Sequence, residues 1–249
     1  MDDTHRIELA AAALPKDSVG LLEGLTSTRA IRRYDDTPLP PEVLRAILFA
    51  ASRAPSGSNR QPFRFLVLTD GPKAQEAKRL LASAAQLAWK AKRVRDGYDR
   101  GSGTSADSPK ARLARSMEHY VQHLHQAPVL ILPCLVRYRA PRLAEGASIY
   151  PACQNILLAA RALGYGGVLT EFQALVEREL RELLRIPEEV AIAASITLGR
   201  PRGRHGPVRR RPLAELVFEE EWEQTAAWAI DPPGTQHTRA GPPRRKPEA

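Results

Sequence analysis

The chain has 249 residues, a 43% hydrophobic and 26% charged composition, and a formal net charge of +9 from 37 Lys and Arg against 28 Asp and Glu. That length suits one domain with extensions and is enough to bury a substantial core. No apolar run approaches the ~20 residues that cross a bilayer, and the start, with Asp2 and Asp3, lacks the charged-then-apolar pattern of an export signal, so a cytoplasmic protein without a membrane partner is expected. Cys134 and Cys153, the two cysteines, form no CxxC and exclude a disulfide framework.

Residues 1–17 read as an Ala-rich N-terminal arm. Asp17 and Ser18 are placed to cap a helix from Val19 to about Thr26. The basic run Thr28-Arg29-Ala30-Ile31-Arg32-Arg33-Tyr34 follows, and if it is extended, Arg32 faces away from Ile31 and Arg33. After Pro38-Leu39-Pro40, a helix runs from Pro41 to about Arg53, with Val43, Leu44, Ile47, Leu48 and Ala51 at core spacing. The stretch Ala54-Pro55-Ser56-Gly57-Ser58-Asn59-Arg60-Gln61-Pro62 is a loop of short polar groups and helix breakers. It feeds a strand in which Phe63, Phe65 and Val67 alternate with Arg64, Leu66 and Leu68. Lys73 to Arg95 reads as a long amphipathic helix. Residues 96–109, rich in Gly, Ser and Asp, read as a flexible loop with Tyr98 a candidate lid residue.

Lys110 to about Gln126 is again helical, with His119 and His123 on one face. Glu118 precedes the first histidine and no third ligand is apparent, so no metal site is assigned. The continuous apolar run 127–136 is a strand buried on both faces. A basic loop from Arg137 to Glu145 leads to a nearly apolar central helix, Ala147 to about Leu163, whose Gln154 and Asn155 amides need partners. Gly164-Tyr165-Gly166-Gly167 reads as a Gly-rich turn that lets backbone approach a ring closely. A short charged helix from Glu177, a strand from Val190 to Leu198, a basic loop, and alternating Arg209 and Arg211 come next. The Pro-, Gly- and Arg-rich residues 231–249 read as a disordered basic tail.

The excess positive charge invites a nucleic-acid reading, but no zinc-finger spacing, helix-turn-helix or aromatic-interleaved RNA motif accompanies it. Nor is there a Ser-His-Asp order, a nucleophile elbow or a P-loop. The Thr28–Tyr34 run, the Pro55–Phe63 loop and Arg209–Arg211, in that order, instead resemble the FMN-dependent nitroreductase family across roughly Leu21 to Phe218. Thr28 stands where that family commonly has Arg, and Ala30 where it has Ser.

The resemblance implies an α+β fold for residues 18–230: a central, mostly antiparallel sheet flanked by helices, in an arm-exchanged homodimer with FMN at the interface. Pro212–Phe218 would be the exchanged arm. It implies that Arg29, Arg209 and Arg211 hold the phosphate and Arg32 the pyrimidine edge. Pro55, Ser56, Gly57 and Asn59 form a cofactor-binding loop, and Gln154 faces the ribityl chain. Leu169, Thr170 and Glu171 pass under the flavin, with the Thr170 hydroxyl or a backbone N–H donating to the hydride-accepting N5. The implied chemistry is ping-pong transfer of hydride from NAD(P)H to a small electron acceptor, a nitroaromatic or quinone. Reductive dehalogenation and flavin fragmentation on the same fold, or flavin storage without catalysis, are the rival readings.

Overall fold

In the structure, a computed structural model describing residues 13–239, the sheet is built around Val129–Val136 (β2), buried in every residue but the last. Phe63–Leu68 (β1) pairs antiparallel with one side of β2. On its other side β2 takes Ser195–Gly199 (β5) at its start and Val190–Ile192 (β4) at its end, both antiparallel. Gly166–Thr170 (β3) pairs antiparallel with β5, giving the order β1-β2-β5-β3. Because side chains alternate, Val129, Ile131 and Leu135 enter one core while Leu130, Leu132 and Cys134 enter the other.

The first core is closed by Pro41–Ser52 (α2) and Tyr150–Ala162 (α5), through Ile47, Ala152 and Ile156. Pro72–Arg95 (α3), Pro109–His123 (α4) and Glu177–Leu184 (α6) close the second, through Leu81, Trp89, Tyr120 and Leu180. Helices on both faces are why β2 reads as one unbroken apolar run. The short Leu21–Ser27 (α1) packs on α5.

Several expectations shift. Asp17 and Ser18 do not cap α1, whose N-cap is Gly20; the Ser18 hydroxyl instead donates to Ala162 O at 2.8 Å. The expected strand 190–198 is two strands, interrupted at Ala193 and Ala194. Opposite the break sits Pro133, whose carbonyl accepts from Ala193 N at 2.9 Å. A strand residue directs its N–H and C=O to the same side, so the proline's missing donor falls where the ladder stops. The Gly-rich turn is strand β3 itself. A Cβ on Gly167 would lie 2.4 Å from both Leu198 Cδ2 and Thr197 O, so that glycine serves close strand packing.

Residues 96–109 contain a 3-10 turn at Gly101–Thr104, and Tyr98 packs edge-on against Trp89 with ring centroids 5.0 Å apart. At the C-terminus, residues up to Arg239 are described and Arg210 bridges to His237. The rest of the expected tail, and residues 1–12 of the expected arm, lie outside the described residues. Among the described residues no helix is long and apolar enough to cross a membrane.

Candidate active site

The basic segment after α1 runs along the free edge of β3: Ile31 N donates to Gly167 O at 2.9 Å, and Tyr34 bridges to Pro201 beyond the end of β5. This extended course sends Ile31 into the fold, 6% exposed, and turns Arg32 to the opposite side. Arg32 is half-buried beside Tyr34, Tyr98 and Tyr120, and its Nε is buried without a partner among the described residues. Burial lowers the pKa of this guanidinium, with the neighbouring tyrosines opposing the shift weakly. Asp36 lines the same cavity as Arg32 but is paired with Arg202, and Arg32 makes no ion pair among the described residues, so this cation is poised for an acceptor from outside the chain.

Behind Arg32 lies a chain of buried hydroxyls. Tyr34 OH donates to Ile31 O at 2.6 Å, which uses its only proton. Thr197 Oγ1, 2.9 Å from both phenols, must then donate to Tyr34 and accept from Tyr120. Burial keeps both phenols protonated, pushing Tyr120 up to about 12 and Tyr34 well above its ordinary value. This directed chain fixes residues 31–34, and with them Arg32. Farther along β3, the Thr170 hydroxyl is hydrogen-bonded to Ser195 Oγ at 2.8 Å, while Glu171 is exposed just past the strand.

The late arginines return to the same edge. Val208 N donates to Thr26 O at 3.3 Å, which brings the Arg209 segment to the C-terminal end of α1 beside exposed Arg29. Arg209 donates to Gln236 Oε1 at 3.0 Å, and Arg211 is already held by Glu215 at 2.7 Å. His205 and Arg161, which the sequence did not single out, also belong here. Arg161 donates to Ser27 and Glu23, and His205 bonds Tyr165 O at 3.0 Å. Burial, then Arg161 and Arg29, lower the His205 pKa against a rise from the Tyr165 carbonyl.

The remaining expected residues sit elsewhere. Ser56 Oγ accepts from Gln61 N at 2.9 Å, and Gly57 N donates to Ser148 Oγ at 3.3 Å. Ser58, Asn59 and Gln61 all take left-handed backbone, with φ of 54°, 50° and 49°. Three such non-glycine residues in one short loop are strain of the kind that marks functional sites. Pro55 is exposed, as is Gln154, one turn into α5, the helix that begins two residues after Ser148. The neighbouring Asn155, not Gln154, satisfies its amide internally, donating to Ala50 O at 3.1 Å.

The chain therefore presents two groups of residues. Arg29, Arg32, Leu169, Thr170, Glu171, Arg209 and Arg211 lie on or near the β3 edge; Pro55, Ser56, Gly57, Asn59 and Gln154 lie by the start of β1. These strands are the two edges of the sheet, and β1 begins at the end where β3 finishes. Strand spacings put Ser56 and Arg29 on the order of 20 Å apart. His119 and His123 stack with centroids 4.2 Å apart, and His123 Nδ1 donates to His119 O. Among the described residues no group of three or more His, Cys, Asp or Glu converges as metal ligands do.

An FMN and NADPH-dependent nitroreductase from Sphigopyxis sp. strain HMH superposes with a TM-score of 0.63 at 21% identity, over 82% of this chain and all of that one. A protein described as a nitroreductase, solved in complex with FMN, from Desulfovibrio desulfuricans gives 0.57 at 29% identity, over 81% of this chain and 96% of that one. The architecture is thus the α+β nitroreductase fold. A Thermus thermophilus NADH dehydrogenase is 30% identical over 76% of this chain and 91% of its own length. The Nitroreductase family model matches residues 25–200, and the chain belongs to that family.

Proposed function

We propose that this protein is an FMN-dependent oxidoreductase that transfers hydride from NAD(P)H to a small electron-poor acceptor, a nitroaromatic or quinone, in two successive half-reactions. The observation that carries the reading is Arg32: a half-buried guanidinium with an orphaned Nε, held on a sheet edge by its own hydroxyl chain. The residues present fit FMN. Arg32 suits the pyrimidine carbonyl edge, where a fixed cation stabilises the negative charge that reduction places there. Arg29 and Arg209 are free of carboxylates among the described residues and suit charge-assisted bonds to a phosphate. Arg211 shares in that only by yielding Glu215. A backbone N–H of the Leu169–Glu171 stretch, rather than the Thr170 hydroxyl already engaged with Ser195, is the donor we assign to N5. Bound FMN supplies the redox chemistry itself, accepting hydride from the donor and delivering it to the acceptor.

The Ser56 loop and Gln154 join this site only from a second copy, because one chain holds the two groups on opposite sheet edges. Exposed apolar side chains support a homodimer: Leu21 at 72% and Leu22 at 76% on α1, and Phe49 on α2, near a groove lined by Gly24, Ala50, Leu158 and Ala159. In the proposed exchanged arm, Pro212–Phe218, Leu213 at 37% and Leu216 at 53% are exposed similarly.

The test is the visible spectrum and mass of the copurified cofactor, followed by NAD(P)H oxidation with nitrobenzene or menadione. Arg32→Gln should weaken FMN retention roughly tenfold or more, the worth of a charged hydrogen bond, with unchanged circular dichroism. A colourless protein that takes up no FMN on titration overturns the proposal.

A further inference from the structure

A cavity of about 240 Å³ opens beside the Ser56–Asn59 turn, under residues 137–148. Its floor is apolar, from Pro62, Leu135 and Val136, and its rim carries Arg137, Arg139 and Arg142. The volume exceeds the ~150 Å³ that holds benzene in an engineered apolar cavity, so a single substituted ring fits. Arg137 is spent: it makes a two-pronged pair with Glu145, at 3.1 and 2.5 Å, which holds that carboxyl below its ordinary pKa. Arg142 bears on Glu145 through its backbone N–H and its charge, but neither its guanidinium nor that of Arg139 makes an ion pair among the described residues.

Tyr138, 56% exposed, is flanked by the Arg60 and Arg139 guanidiniums, 5.0 and 4.8 Å from its ring centroid. Arg139 also donates to the Tyr138 hydroxyl at 2.8 Å. An aromatic ring is thereby fixed at the mouth between two cations, and Glu145, the one acid lining the cavity among the described residues, is already paired. The Ser148–Gly57 hydrogen bond ties this assembly to the loop that, on the proposed reading, faces the flavin.

We propose that this cavity selects the electron acceptor, and that the preferred class is an aromatic bearing an oxyanion, such as a carboxylate: ring on the apolar floor, anion on Arg142 and Arg139. The inference rests on the flavin-reductase reading. The reaction it selects for is ArNO₂ + NAD(P)H + H⁺ → ArNO + NAD(P)⁺ + H₂O, the nitro group taking hydride and a proton and losing one oxygen as water.

The test compares 4-nitrobenzoate with nitrobenzene on the flavin-loaded protein and on Arg139→Ala/Arg142→Ala, with calorimetric titration of 4-nitrobenzoate in the absence of NAD(P)H. The wild type should favour 4-nitrobenzoate in kcat/KM by roughly tenfold or more, less so at high salt. The double variant should lose that preference and the calorimetric affinity together, with flavin absorption retained. Equal use of both acceptors by the wild type overturns the proposal, as does an equal loss on both in the variant. A variant that changes only the KM for NAD(P)H overturns it too, assigning the cavity to the donor. If the protein takes up no FMN, the function above fails, while the calorimetric arm still decides whether the cavity holds an aromatic carboxylate.

Discussion

Thr197→Val isolates the buried hydroxyl chain behind Arg32, since valine keeps the branched shape and removes one hydroxyl. Tyr34 retains its 2.6 Å bond to Ile31 O, so the loss falls on Tyr120. That phenol is 1% exposed, is held protonated by burial, and gives up its 2.9 Å acceptor. Thr170, which also hydrogen-bonds Tyr120, is committed to Ser195 as well and recovers only part of what is lost. An orphaned buried donor costs about 1–3 kcal/mol, whereas the net worth of a satisfied neutral bond is about 0.5–1.5 kcal/mol. Thr197→Val should therefore cost about 1–3 kcal/mol and Tyr120→Phe, which leaves Thr197 free to donate to Tyr34, about 0.5–1.5 kcal/mol. The double variant orphans nothing, so its cost should fall short of the summed single costs by about 1 kcal/mol. Urea unfolding of the four proteins measures this, with the slope m unchanged across the cycle. Additive single costs would refute the directed chain.

Gly167→Ala must displace the neighbouring strand's backbone at Thr197 O as well as Leu198. A loss of about 2–3 kcal/mol should appear as a lowered thermal midpoint, while Gly203→Ala, with open space around it, should leave the midpoint in place. Neutral His205 donates from Nε2 to Tyr165 O, leaving Nδ1 buried without a partner. Its pKa is lowered in the folded state, so on acidification the unfolded chain takes the proton first. Nothing is lost above about pH 7; below the ordinary histidine value of about 6.5, stability should decline. His119 shifts the same way through burial and Arg33, so His205→Gln should flatten only part of the decline in the urea midpoint.

How much the sequence shows depends on how local each cause is. The burial of β2 is legible because two-sided burial removes every polar residue from a strand, and α2 because its apolar positions recur on one face. The loop before β1 is legible as a loop, but its left-handed residues are Ser58, Asn59 and Gln61 rather than Gly57. Residue preference would have put the positive φ on the glycine. Strand β3 hides behind Gly166 and Gly167, which read as a turn until Ile31, Thr197 and Leu198 are seen closing on them from both sides. The break between β4 and β5 has its cause some 60 residues upstream, at Pro133. Arg29 and Arg32 are legible as basic residues of a family pattern. Tyr120 and Thr197, which orient Arg32, are not, because they meet only after three separate elements pack.

The same holds for the division of the site, which strand order alone decides. With β2 and β5 standing between β1 and β3, no movement of loops carries Ser56 to Arg29 without dismantling the two most buried strands of the sheet. If both groups touch one flavin, the proposed source of the second is another chain. On that proposal, the exposed leucines of α1, with Leu213 and Leu216 of the Pro212–Phe218 stretch, are the surfaces that would meet it, since contiguous exposed apolar side chains mark interaction sites.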